Sequence, residues 1–112
     1  MKHYQQDDLF KLCMTLIKKQ NYLEALERIK LLLSKNAYYY HTILQTLYKT
    51  LQRSPETTML HIIIVELYLY KNEFNEAVFQ LECLFEEHPK NTNIFFYLSR
   101  IYQKSSEKNR IV

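Results

Sequence analysis

Apolar residues recur three and four positions apart along most of the chain, the spacing that lines one face of a helix. Leu9, Leu12, Cys13 and Leu16 form the first such stripe, Ala25, Ile29, Leu32 and Leu33 the second, and Ile43, Leu44, Leu47, Tyr48 and Leu51 the third. They predict helices over 7–19, 22–34 and 37–51. Asp7 and Asp8 then fall in a first turn and Lys18 and Lys19 in a last one, the signs that a helix dipole favours. Gln20-Asn21 makes the first turn between helices, Asn36 starts the third helix, and Glu24 and Arg28 form a favourable pair one turn apart. Ser54-Pro55-Glu56 combines a capping Ser, a Pro suited to the first turn and an acid at the positive end, and so begins a fourth helix over 55–70. Its run IIIVELYLY would also suit a strand, since β-branched and aromatic residues favour that state. The start signal and the length favour a helix, and one apolar nearly all round is expected to be the most buried. After a turn at Lys71-Asn72-Glu73, a fifth helix over 74–87 places Phe74, Ala77, Leu81, Leu84 and Phe85 on one side, and Pro89 stops it. A sixth is predicted over 92–104, followed by a polar tail, SSEKNRIV, expected to be disordered.

The fourth and fifth helices share a spacing with the first and second. One pair reads His61-x2-Ile64-Val65-x2-Tyr68, then Ala77-x3-Leu81, then Pro89; the other reads Leu9-x2-Leu12-Cys13-x2-Leu16, then Ala25-x3-Ile29. An alanine recurs where two helices of a hairpin approach, because only a small side chain leaves room there. The sixth helix repeats the first half of the pattern as Phe95-x2-Leu98-Ser99-x2-Tyr102. This spacing resembles the tetratricopeptide repeat (TPR), W-x2-L-G-x2-Y, then A-x3-F, then P. His61 replaces the aromatic and Val65 the small residue. The resemblance covers residues 6–36 and 58–104, about two-thirds of the chain. Ala25 and Ala77 lie 52 positions apart, not the 34 of adjacent repeats, so the helix over 37–51 reads as an insertion.

The resemblance implies an all-α fold, a six-helix antiparallel α-α superhelix (a TPR-like solenoid), as a single domain over 1–104 with the tail at 105–112. It also implies a non-catalytic scaffold, adaptor or assembly factor, whose partner lies in a groove lined by the first helix of each pair. Carried onto this chain, the groove positions are Asp7, Phe10, Met14 and Ile17; Met59, Ile62, Glu66 and Leu69; and Asn93, Phe96, Arg100 and Gln103. The cationic clamp that some relatives use for acidic C-termini is missing from these positions. Phe10, Met14, Ile17, Ile62, Leu69 and Phe96 suit an apolar or amphipathic protein segment, with Glu66 and Arg100 as polar anchors. The competing reading for each apolar position is simple core.

Composition narrows the alternatives. Gly is absent, which excludes Gly-rich phosphate loops and disfavours tight-turned β folds. Net charge is +3, but residues 1–56 carry nine Lys/Arg against five Asp/Glu and residues 57–112 six against seven. Nucleic-acid binders show a stronger basic face, so an RNA-contacting helical repeat stands second. Tyr38-Tyr39-Tyr40-His41 could stack on bases, although a helix start wedged among neighbours accounts for it more simply. The four histidines form no i,i+4 pair or H-E-x-x-H motif, so neither metal, cofactor nor enzymatic chemistry is expected, and no small-molecule substrate. Cys13 and Cys83 both read as buried thiols on apolar faces, inert and in a reducing compartment. No signal sequence or membrane span is expected. The Lys, Asn, Ile and Tyr bias suggests the cytoplasm or the stroma of an AT-rich organelle such as a plastid. The sixth helix, with Ile94, Phe96, Leu98 and Ile101 uncovered, offers a surface for a second copy.

Overall fold

The computed structural model describes residues 2–54 and 58–110, without the side chains of 2–6, 93, 95 and 105–110. Among the described residues there are six α-helices, one short 3-10 turn and no strand, so the fold is all-α. The chain divides into two compact units, Met1–Ile63 and Ile64–Val112. Where one array was expected over 1–104, the boundary falls inside the fourth helix.

The first unit begins with α1 (Lys2–Lys18) and α2 (Tyr22–Lys35). The helix α1 starts well before the expected position, because its first residues contain no Pro, Gly or strong cap to delay it. Asp7 and Asp8 therefore lie inside the helix, not in its first turn. Its end is sharp. Gln20 takes a left-handed φ of 63°, its N–H donates to the Ile17 carbonyl at 3.0 Å, and the Asn21 N–H donates to the Leu16 carbonyl at 2.9 Å. That pair of bonds is the Schellman closure, which satisfies carbonyls the helix end would otherwise leave open.

The core between α1 and α2 uses Cys13, Leu16 and Ile17 from one side and Ala25, Ile29, Leu32 and Leu33 from the other. The second stripe is as expected. The first has rotated: Leu12 is 38% exposed, and Ile17 takes its place. Positions 13, 16 and 17 share one helical face, and Leu12 sits at its edge.

Asn36 then caps as anticipated, its Oδ1 accepting the Tyr38 N–H at 2.9 Å. What it starts is a 3-10 turn over Ala37–Tyr39, continued by α3 (Tyr40–Arg53) with Tyr40, Ile43 and Leu47 buried. The helix α4 (Thr58–Tyr70) follows. The cap expected at Ser54-Pro55-Glu56 extends into 55–57, which lie outside the described residues. Leu60, Ile62, Ile63, Ile64, Val65 and Leu67 of α4 are all buried, as its all-round apolar character requires.

The second unit continues from α4 into α5 (Phe74–Glu87) and α6 (Thr92–Arg110). The α4–α5 turn repeats the first one. Asn72 has φ 58°, its N–H donates to Leu69 at 3.0 Å, and the Glu73 N–H donates to Tyr68 at 2.8 Å. Ala77, Leu81 and Leu84 of α5 and Ile94, Leu98 and Ile101 of α6 are buried. The helix α5 ends where expected: His88 leaves helical geometry, and Pro89 has no N–H with which to continue. The helix α6 does not end at Lys104 but runs to Arg110, through part of the expected disordered tail. Ser105-Ser106-Glu107-Lys108-Asn109-Arg110 holds no Pro or Gly, so nothing in it stops a helix. No helix among the described residues is long and apolar enough to cross a membrane.

Candidate partner-binding surfaces

In the first unit the surface is built where α1 meets the 3-10 turn. A 3-10 helix has about three residues per turn, so consecutive side chains leave it in three different directions. Tyr38, Tyr39 and Tyr40 are separated in this way. Tyr40 points inward, 2% exposed, with His41 edge-on at 5.2 Å. Tyr39 reaches across to α1, stacking on Phe10 with centroids 4.9 Å apart and planes 22° from parallel. Its hydroxyl donates to Asp7 Oδ1 at 2.6 Å, the short distance of a charge-assisted bond. That bond, before partial burial, raises the Tyr39 phenol above its ordinary pKa. Tyr38 points outward, 83% exposed, and meets Tyr39 edge to face at 6.0 Å and 81°. The wedged helix start expected of this cluster holds for Tyr40, which is buried, and for Tyr39, packed on α1, but not for Tyr38.

Of the groove positions in this unit, Phe10 and Met14 are half-buried and Asp7 is exposed. Ile17 and Ile62 are core, at 2% and 6% exposure, and present no surface to a partner. The reason is the same rotation of α1 for Ile17, and for Ile62 the nearly complete burial of α4.

In the second unit Glu66 and Leu69 are half-buried on α4, while Phe96 and Arg100 are exposed on α6. Phe96 is 62% exposed, and Arg100 lies one turn further along the same face. Tyr97 links the two polar anchors. Its pKa is raised, first by burial and then by the charge and hydrogen bond of Glu66, with Arg100 opposing. The Tyr97 hydroxyl is therefore the donor to the Glu66 carboxylate, with the guanidinium close by. Asn93 lies outside the described side chains; Gln103 is exposed. The apolar surface expected on the last helix shrinks accordingly: Ile94, Leu98 and Ile101 are buried, leaving Phe96.

The two cysteines part company. Burial pushes the Cys13 thiol up to about 11, against a smaller lowering by Arg28. Cys83 is exposed on α5, contrary to expectation. It lies off the Ala77-Leu81-Leu84 stripe, on the outer side with the exposed Phe79. No group of three or more His, Cys, Asp or Glu side chains capable of holding a metal occurs among the described residues. An open depression at His88, Pro89, Lys90 and Asn91 marks the α5–α6 turn.

Neither Tyr39 nor Tyr97 was singled out individually by sequence reasoning as a binding residue. The Tyr39 partners are more than thirty positions away in sequence for Asp7, beyond any local pattern. Tyr97 carried a weak signal, three residues before Arg100 on the helix. No protein-family model matches this chain, and no curated protein is similar to it at a significant level.

Proposed function

We propose that the chain is a small TPR-like helical scaffold that binds an apolar or amphipathic segment of a protein partner, acting by equilibrium association without chemistry. The exposed pairing of Phe96 and Arg100 on one face of α6 carries the reading. Both stand at groove positions of the resemblance. A phenylalanine left mostly in water forgoes much of the roughly 1.5–3 kcal/mol that burial of such a side chain provides. A partner that covers it recovers that energy, while Arg100 supplies orientation. The repeated turn geometry at Gln20 and Asn72 and the complete burial of Ala25 and Ala77 support the TPR-like arrangement.

The test compares the tagged protein with a Phe96→Glu variant in capture from native extract. Phe96 is a better target than Phe10, whose stacking on Tyr39 makes it part of the fold. The expected result is a partner retained by the wild type and lost by a variant with unchanged circular dichroism. Equal capture by both would remove Phe96 from the interface. The second reading, an RNA-contacting helical repeat, rests on the exposed Tyr38; recovery of RNA with steep salt dependence would favour it.

A further inference from the structure

We infer that the outer face of α5, centred on Phe79, docks a cationic amphipathic helix of a protein partner. The surface lies on a different helix from Phe96 and does not depend on it. Phe79 is 66% exposed and stands opposite the buried Ala77-Leu81-Leu84 stripe, in the middle of the solvent side of the helix. Glu76 and Cys83 lie one turn before and after it, and Glu82 and Glu86 line its other flank; all four are exposed. Between Phe74 and Glu87 there is no Lys, Arg or His. The bases of this unit stand off the face. Exposed Lys71 and Lys90 fall beyond the two helix ends, while Arg100 and Lys104 belong to α6, where Arg100 acts on Tyr97. Even with both end lysines included, residues 71–90 hold five Glu against two Lys.

Left to itself this face is unfavourable on three counts, and one kind of occupant relieves all of them. Phe79 keeps most of its ring in water, where burial would be favourable. Glu82 and Glu86 are like charges one turn apart, which repel. Glu86 and Glu87 stand in the last turn, at the negative end of the helix dipole, whereas α1, α2 and α3 carry Lys18, Lys35 and Arg53 there. An apolar side chain set over Phe79, with Lys or Arg on either side, covers the ring, pairs the carboxylates and meets the dipole. A helix supplies that arrangement through its own three-four spacing. Nucleic acid is repelled, since its backbone is drawn to Lys and Arg. A second copy fits less well: the exposed apolar face of α2 sets Glu27 between Leu23 and Leu31, and so brings like charge.

The experiment is fluorescence anisotropy of labelled peptides titrated with the intact chain, at low and at physiological salt. The first probe is a helical peptide with leucines at three-four spacing and lysines on both flanks. The second has the same composition in an order that breaks the stripe, and the third replaces every lysine by glutamate. The first is expected to bind and the other two are not. Phe79→Ser should weaken the first peptide roughly tenfold or more. Glu82→Gln with Glu86→Gln should weaken it roughly threefold or more at low salt, and should flatten its salt dependence. All three substitutions sit at exposed positions, and circular dichroism checks that each variant is folded. Phe96→Glu should leave this binding unchanged. Equal binding of the reordered peptide would reduce the surface to unspecific charge and overturn the inference. So would binding that survives Phe79→Ser, or binding lost with Phe96→Glu, which would move the peptide to α6. Sedimentation velocity of the chain without peptide covers the remaining occupant. A monomer is expected; self-association abolished by Phe79→Ser would give this face to a second copy and overturn the assignment to a cationic partner.

Discussion

At the scale of single residues, environment divides side chains that look equivalent in sequence. Cys13 and Cys83 are both helical cysteines near apolar positions, yet one is buried and the other exposed. Reactivity follows the accessible thiolate. Under native conditions a maleimide is expected to label Cys83 at once and Cys13 only as the chain unfolds, and mass spectrometry of the labelled peptides reads this directly. Comparable fast labelling of Cys13 would contradict its burial. The thiol also sets a pH dependence. The folded pKa of Cys13, about 11, lies above its ordinary value of 9.0. Its contribution to stability is thus fully present below about pH 9 and is lost as pH rises toward 11, because the unfolded state gives up the proton first. Raised tyrosine pKa values act in the same direction at high pH. The informative quantity is therefore the difference in denaturation midpoint between the wild type and Cys13→Ala. That gap should narrow between pH 9 and 11, and a constant gap would rule out the titration. The burial of Cys13 was legible from its stripe; the exposure of Leu12 was not, because a spacing of three and four leaves the edge residue undetermined, and Cys83 lies off its stripe on the outer side of α5.

At the scale of elements, legibility tracked the presence of chemical punctuation. The helix α5 matched its expected bounds because a turn precedes it and Pro89 follows it, while α2 ran only one residue longer. By contrast α1 and α6 overran theirs, since nothing in their flanks stops a helix. The two hairpin turns were legible as turns, but not as left-handed closures, because the chain contains no Gly to mark them. Gln20 and Asn72 hold positive φ in its place. For L-residues that conformation costs roughly 1–2 kcal/mol, which glycine avoids. Offset by glycine's greater freedom in the unfolded chain, Gln20→Gly is expected to stabilise by about 0.5–1 kcal/mol. Asn72→Gly should give less, since Asn tolerates this region better than Gln. Urea denaturation measures both; destabilisation by Gln20→Gly would show that its side chain contributes something the backbone argument omits. The opposite sign belongs to the buried alanines. Ala77→Leu adds three carbons to a position with no accessible surface and should cost about 1–3 kcal/mol by overpacking.

At the scale of the whole molecule, the division into two units at Ile63 and Ile64 had no compositional warning. It falls in the most apolar run of the chain, where a linker would be least expected. The physical consequence is that α4 belongs to both units at once: Leu60 and Ile63 are buried before the boundary, Ile64 and Leu67 after it. The helix crosses the junction without Gly or Pro. Ile64→Pro would remove an internal hydrogen bond and clash with the preceding turn, at a cost of about 3 kcal/mol or more. If α4 couples the units, native-state hydrogen exchange should show that variant losing protection in the α1–α2 hairpin as well as in α5 and α6. Protection lost in α5 and α6 but unchanged in α1 and α2 would instead mean that the first unit is stable without its share of α4. In that case the first unit could be studied as an independent module.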